Sequence, residues 1–174
     1  SNQKIITFIE RSNEYNNSGQ SIVIKNLQTS IEEQIYVLGN NVNDGAYSEL
    51  SDLQTYDIGG GQAAAFFKEQ TDPDYSSSSI LKAIVYNVTT GEIIQPAIDL
   101  INGLQSGAYF IEQSEDGLFY VGASQPGNKD MGADGSGYDF ILKSFNPLEG
   151  LVTDVSSSEG LVSKLKDFDS ADRQ

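Results

Sequence analysis

Short apolar runs alternate with turn-forming residues along most of this chain and restrict its fold to the all-β class. The runs are rich in β-branched and aromatic residues, as in Lys4–Glu10, Ser21–Leu27 and Gln34–Leu38. Clusters of Gly, Asn, Asp and Ser, which favour turns, separate them. About eight to ten short strands with no long helix between them predict a single-domain antiparallel β-sandwich or jelly-roll-like fold.

Two hairpins are predicted in the second half of the chain. The first joins Leu81–Val88 to Glu92–Ile98. Because proline cannot donate to a ladder, Pro96 predicts either that this second strand lies at a sheet edge or that Pro96 lies near the end of the strand. The second joins Ala108–Gln113 to Leu118–Ala123 through a turn that contains an Asp-Gly pair.

Three further segments complete the strand prediction. Residues 39–61 contain an Asn-Asp-Gly sequence and three consecutive glycines, which predict loop with one short strand. Ala63–Lys68 and Tyr138–Phe145 have strand composition.

The length of 174 residues predicts one domain, with the β-sandwich over residues 1–158. Residues 159–174 are expected to form a short helical or frayed tail, because Leu161, Leu165 and Phe168 recur at helical spacing. The hydrophobic content of 38% is enough for a core. No apolar run approaches the ~20 residues of a membrane helix, so no membrane insertion is expected.

The composition excludes several kinds of chemistry. The chain has no His and no Cys, which removes the Ser-His-Asp triad, the cysteine nucleophile and standard zinc or haem sites. Ten basic against 25 acidic side chains give a net charge of −15, which disfavours nucleic-acid binding because phosphate contact needs clustered positive charge. A composition rich in Ser, Asn and Gly and poor in Lys and Arg indicates a bacterial extracellular or cell-surface protein, and an acidic cytosolic protein is the alternative.

One loop has the composition of a calcium site. The segment Pro126–Asp139 combines four glycines with oxygen-bearing side chains, which Ca²⁺ prefers. The EF-hand spacing is absent, so any site would be of a sandwich-loop type, and a plain solvated turn is the alternative. The candidate metal ligands are Asn128, Asp130, Asp134, Ser136 and Asp139.

Candidate ligand-binding residues lie in other loop-rich stretches. Exposed tyrosine rings can stack on a sugar or on a partner side chain, and acidic loops can face a ligand. A flexible solvated loop is again the alternative. The candidates are Tyr47, Tyr56, Asp72, Asp74 and Tyr75.

Two local likenesses to known families are present. Leu118–Ser124 followed by Gly137–Phe145 resembles one blade motif of bacterial propeller repeats, and Ser21–Gly39 is similar to the first sheet of thaumatin-like sandwich proteins. The blade motif is found once, no internal repeat of solenoid or propeller period is detected, and neither likeness assigns the chain to a family.

These features predict a non-catalytic surface module for adhesion or ligand binding, with Ca²⁺ as a candidate stabiliser and a protein or glycan as its ligand. One alternative is a structural or assembly subunit, of a surface filament or phage particle, that self-associates through the N-terminal strand Lys4–Glu10. A third is a carbohydrate-binding or glycan-active domain, because paired carboxylates across a cleft would suffice for a glycosidase.

Overall fold

The computed structural model describes residues 5–11, 19–38, 49–70, 79–104, 109–126 and 138–155. These segments form eleven antiparallel β-strands, and no helix occurs among them, which confirms the predicted all-β class. The strands are β1 (Ile5–Arg11), β2 (Gln20–Asn26), β3 (Glu32–Val37), β4 (Glu49–Gly59), β5 (Gln62–Gln70), β6 (Ser79–Asn87), β7 (Ile93–Leu104), β8 (Tyr109–Gln113), β9 (Phe119–Pro126), β10 (Tyr138–Asn146) and β11 (Leu151–Asp154).

The strands form three sheets in which each strand pairs with its neighbour in the sequence. The first sheet has the order β1-β2-β3, the second β4-β5-β6-β7 and the third β8-β9-β10-β11. Both predicted hairpins are present, as β6–β7 and β8–β9. Strand β7, which contains Pro96, lies at an edge as predicted.

The chain divides into two compact units. One comprises Ser1–Gln105 with Pro147–Glu149, and the other Ser106–Asn146 with Gly150–Gln174. The first unit holds the first and second sheets, and the other holds the third sheet. The single domain over residues 1–158, the jelly-roll-like detail and the self-association through the N-terminal strand stay predictions, and the tail after residue 158 lies outside the described residues.

The first and second sheets enclose a common apolar core, the arrangement of a β-sandwich. Strands β1 and β2 contribute Ile9 and Ile22, and β5 contributes Phe67, which is fully buried. The hydroxyl of the buried Tyr86 lies 2.8 Å from Thr7 Oγ1, which satisfies the polar atom of this ring across the core.

The centre of the second sheet is buried on both faces. Successive residues of β5 point to opposite faces, yet Phe66 and Phe67 both have no exposed surface. The ring of Tyr56 on β4 packs edge-on against Phe66, with centroids 5.5 Å apart. This two-sided burial explains the continuous apolar run of Ala63–Phe67.

The sequence predicted loop with one short strand over residues 39–61, whereas β4 is a strand of 11 residues. A β-bulge interrupts its pairing with β5 between Ser51 and Gln54, and Asp52 has a positive φ of 54°. The extra residue places Leu50 and Leu53 against the same core although they are three apart in the sequence. The bulge therefore breaks the two-residue alternation by which strands are recognised.

The third sheet buries one face of β9. Phe119, Val121 and Ala123 alternate along this strand and are almost completely buried. Phe145 of β10 pairs with Phe119, and their ring centroids are 6.5 Å apart. The alternate residues of β9 therefore form one buried face of the third sheet.

Candidate functional site

A groove of about 510 Å³ lies on the first unit, where β1 ends and β2 begins. We call it the end groove. Its volume falls within the usual range for small-ligand sites. Its lining combines a carboxylate, a guanidinium, two amides, a hydroxyl and one apolar side chain, from Glu10, Arg11, Gly19, Gln20, Ser21, Gln34 and Val37.

Buried polar residues contribute to the end groove. Gln20 and Ser21 are only 8% and 6% exposed. The Gln20 side-chain oxygen accepts a hydrogen bond of 2.5 Å from the backbone N–H of Leu50, and its backbone oxygen accepts one from Leu38. The hydrogen bond to the side-chain oxygen, together with burial, orients the Gln20 amide.

Exposed side chains also line the end groove. Val37 is 61% exposed, and Gln34 donates a long hydrogen bond of 3.5 Å to the Ser21 hydroxyl. Arg11 forms a 2.7 Å ion pair with Glu49 at the start of β4. The groove therefore combines one buried, hydrogen-bonded amide with exposed polar groups, which suits recognition of a hydrogen-bonding ligand.

A second polar group, the Lys82 cluster, comprises Tyr36, Glu69, Lys82 and Asp99 in the first unit. The Lys82 ammonium lies 3.3 Å from a Glu69 carboxylate oxygen and 3.1 Å from one of Asp99. The side chains of Lys82 and Glu69 are only 15% and 10% exposed. Two carboxylates thus neutralise one lysine in a largely buried position.

Tyr36 completes the Lys82 cluster from β3. Its hydroxyl donates a short hydrogen bond to Glu69, and its ring packs on Phe67 with centroids 4.8 Å apart. Burial raises the pKa of Tyr36 well above its usual range, and the Glu69 carboxylate adds to the effect. The cluster consists of mutually paired groups and joins β3 to the second sheet.

Most of the sequence-predicted site residues lie outside the part of the chain that the structure describes. This applies to Asn128, Asp130, Asp134 and Ser136 of the proposed metal loop. Asp139 belongs to β10, but its side chain is likewise outside the description. Within the described segments, no group of three or more acidic residues is arranged to hold a metal ion.

Four of the five predicted ligand-binding residues also lie outside the part of the chain that the structure describes. They are Tyr47, Asp72, Asp74 and Tyr75. Tyr56 was expected in a loop-rich stretch, but it lies on β4 and is half-buried against Phe66. Its hydroxyl donates to the side-chain oxygen of Gln54 at 3.1 Å, so the ring belongs to the packing of the second sheet.

Sequence reasoning missed the end groove and the Lys82 cluster. Gln20 and Ser21 open a strand in the sequence, and nothing local shows that they are buried. The one available signal was the pair Lys82 and Glu69, which are charged residues inside otherwise apolar strands. A charge in such a run is retained in a core when it is paired.

Comparison with protein-family models, with curated proteins and with solved structures found no match to this chain. Among the residues described, no helix has the length and apolar character needed to cross a membrane.

Proposed function

We propose that this protein is a non-catalytic extracellular or cell-surface module that binds a hydrogen-bonding ligand, a glycan or a polar peptide segment, in the end groove. The observation that carries the proposal is the groove itself, with the buried and oriented Gln20 in its lining. Preorganised polar groups favour binding because less side-chain freedom is lost when the ligand arrives.

The described ionic groups support binding rather than catalysis. Arg11 is paired with Glu49, and the buried Lys82 is shared by Glu69 and Asp99. A glycosidase needs two carboxylates that act on opposite sides of one bond. In the Lys82 cluster, the carboxylates of Glu69 and Asp99 converge on a lysine instead.

Calcium belongs to the proposal as a stabiliser. The sequence of Asn128–Asp139 carries carboxylate, amide and hydroxyl oxygens at close spacing among glycines. On a chain of net charge −15, a bound divalent cation would neutralise local repulsion between carboxylates.

A matched pair of substitutions tests the end groove. Gln34→Trp places a bulky ring at a lining position, whereas Gln28→Trp makes the same change in the exposed turn after β2. We expect the wild type and Gln28→Trp to bind the same members of an immobilised glycan and peptide panel. Gln34→Trp should lose that binding by tenfold or more, about 1.4 kcal/mol. Retained binding by Gln34→Trp, or no binding by the wild type, would contradict the proposal.

A further inference from the structure

The Lys82 cluster holds an amine in contact with a carboxyl group with which it can react. Lys82 Nζ lies 3.1 Å from Asp99 Oδ1, so the amine contacts the group whose carbon, Cγ, it would attack. An amine and a carboxyl group condense to an amide with loss of water. Well-oriented neighbouring groups react with effective molarities on the order of 10⁵ M or more, which offsets the reluctance of free groups to condense in water.

The ladder of the second sheet holds the two groups in this contact. Lys82 on β6 and Asp99 on β7 are direct cross-strand partners, and Phe67 on β5 is the partner of Lys82 on its other side. Partners in adjacent antiparallel strands point to the same face of the sheet, with Cβ atoms about 5 Å apart. Phe67 is fully buried and the Lys82 side chain is only 15% exposed, so little water reaches the amine or an amide formed there.

Glu69 is placed to carry the protons that the condensation moves. Its Oε2 lies 3.3 Å from Lys82 Nζ, and its side chain is 10% exposed. The Tyr36 hydroxyl donates to the same oxygen and holds the carboxylate beside the amine. A positioned carboxyl group can take a proton from one reacting group and return it to another.

Asp99 provides the exit for the leaving group. Its side chain is 46% exposed, whereas that of Lys82 is largely buried. The reacting carbon therefore lies at the solvent side of the Lys82 cluster. A water molecule released there passes directly to solvent.

We infer that Lys82 and Asp99 form an intramolecular isopeptide bond, with Glu69 as the proton relay. Glu69 takes one proton from the Lys82 ammonium, and the neutral amine attacks Cγ of Asp99. The C–N bond forms, and the bond from Cγ to one carboxyl oxygen breaks. The nitrogen gives up a second proton, and both protons leave with that oxygen as one water molecule. The ion pair in the structure is the reactant of this step.

The bond ties β7, an edge strand of the second sheet, covalently to β6. Lys82 and Glu69 interact as an ion pair until the bond forms, and the amide N–H can then donate to Glu69 in place of the ammonium. The step takes place once in each chain and uses no cofactor. It is independent of ligand binding in the end groove.

The intact mass of the purified full chain, kept at neutral pH for several days, tests the bond directly. We expect a mass lower than that of the sequence by one water molecule. Trypsin does not cleave after a lysine whose amine is acylated, so the digest should contain a peptide of residues 69–129, uncleaved at Lys82 and lighter by one water. An intact mass equal to that of the sequence, or water loss with Lys82 still cleaved, would overturn the inference.

Three variants separate the roles of the side chains, with circular dichroism to show that each is folded. Lys82→Arg keeps the positive charge but lacks the amine, so it should keep the full mass. Glu69→Gln keeps the size of the side chain and should slow cross-linking by about 100-fold or more. Glu32→Gln changes the exposed partner of Lys25 and should lose water as the wild type does. Cross-linking of Glu69→Gln at the wild-type rate would contradict the relay.

Discussion

Lys82 is the residue whose removal should disturb the sandwich most through charge. Its ammonium neutralises Glu69, whose side chain is 10% exposed, and it also contacts Asp99. Buried pairs add little net stability against an apolar substitute, but removal of one partner leaves an uncompensated charge in the interior. The buried Glu69 therefore depends on Lys82.

We predict that Lys82→Met lowers the free energy of unfolding by about 3 kcal/mol. Lys25→Met is the matched control, because Lys25 pairs with Glu32 at an exposed position and should cost less than about 1 kcal/mol. Urea unfolding at pH 7 measures both. In a Glu69→Gln background the cost of Lys82→Met should shrink, and an unchanged cost would contradict the charge argument.

Tyr36 should make stability fall at alkaline pH. Burial and the nearby Glu69 carboxylate raise its pKa in the folded state above the ordinary value of 10.0. As pH rises above about 10, the unfolded chain releases the proton while the folded chain keeps it, so the unfolded state is favoured. This contribution to stability is complete below pH 10 and is lost as pH rises toward the folded-state pKa.

We therefore predict that Tyr36→Phe flattens the decline of the urea midpoint between pH 9 and pH 11. Burial also raises the pKa of Tyr86, so this residue contributes to the same decline of the urea midpoint. The double variant Tyr36→Phe/Tyr86→Phe should therefore flatten that decline further. Tyr56→Phe, which removes a hydroxyl bonded to Gln54, serves as the control. An identical pH dependence in wild type and Tyr36→Phe would contradict the assignment.

The turn between β6 and β7 leaves no room for a Cβ atom at its glycine, so the stability of the protein should be sensitive to a substitution there. Gly91 has φ of 74°, and a Cβ there would lie 2.7 Å from Glu33 Cβ. The turn therefore packs against β3 so closely that only glycine fits. Gly61 in the turn between β4 and β5 has a similar φ of 76°, but a Cβ there would meet no atom within 4 Å.

We predict that Gly91→Ala destabilises the protein more than Gly61→Ala by roughly 1–3 kcal/mol. Both substitutions carry the cost of a left-handed alanine, about 1–2 kcal/mol, so their difference isolates the steric contact with Glu33. Thermal unfolding of the two variants measures it. Equal losses in Tm would show that the turn moves away from β3 at no cost.

Strands were predicted correctly from the sequence where alternating apolar residues and turn-forming residues mark the same hairpin. The hairpin β8–β9 has an alternating buried face and an Asp-Gly turn, and it was predicted within a few residues. The length of strand β4 was underestimated because its bulge at Asp52 shifts the alternation. Local patterns predict a strand only while its pairing is regular.

At the scale of the whole molecule, the all-β class was predictable and the candidate site was not. The end groove brings Gln20 next to Leu50 through a contact between separate sheets, which no local pattern contains. A site that is formed by contacts between distant parts of the chain can be recognised only once the fold is known.

We predict that millimolar Ca²⁺ raises the Tm of chelator-treated protein by several degrees, because a ligand that binds only the folded state stabilises it by mass action. Asp134→Ala should abolish the gain, whereas Asp57→Ala on β4 should retain it. Differential scanning calorimetry with Mg²⁺ as the ionic control measures the effect. No shift in the wild type would remove Ca²⁺ from the proposed function.

The measurement that tests the proposed function most directly is an amide-resolved NMR titration of the wild-type protein with the tightest-binding member of the glycan and peptide panel. Ligand binding in the end groove predicts the largest shift changes at Gly19, Gln20, Ser21 and Gln34. The third sheet, β8 to β11, should stay unchanged. Largest changes on the third sheet, with none around Gln20, would contradict the assignment of the end groove as the ligand site.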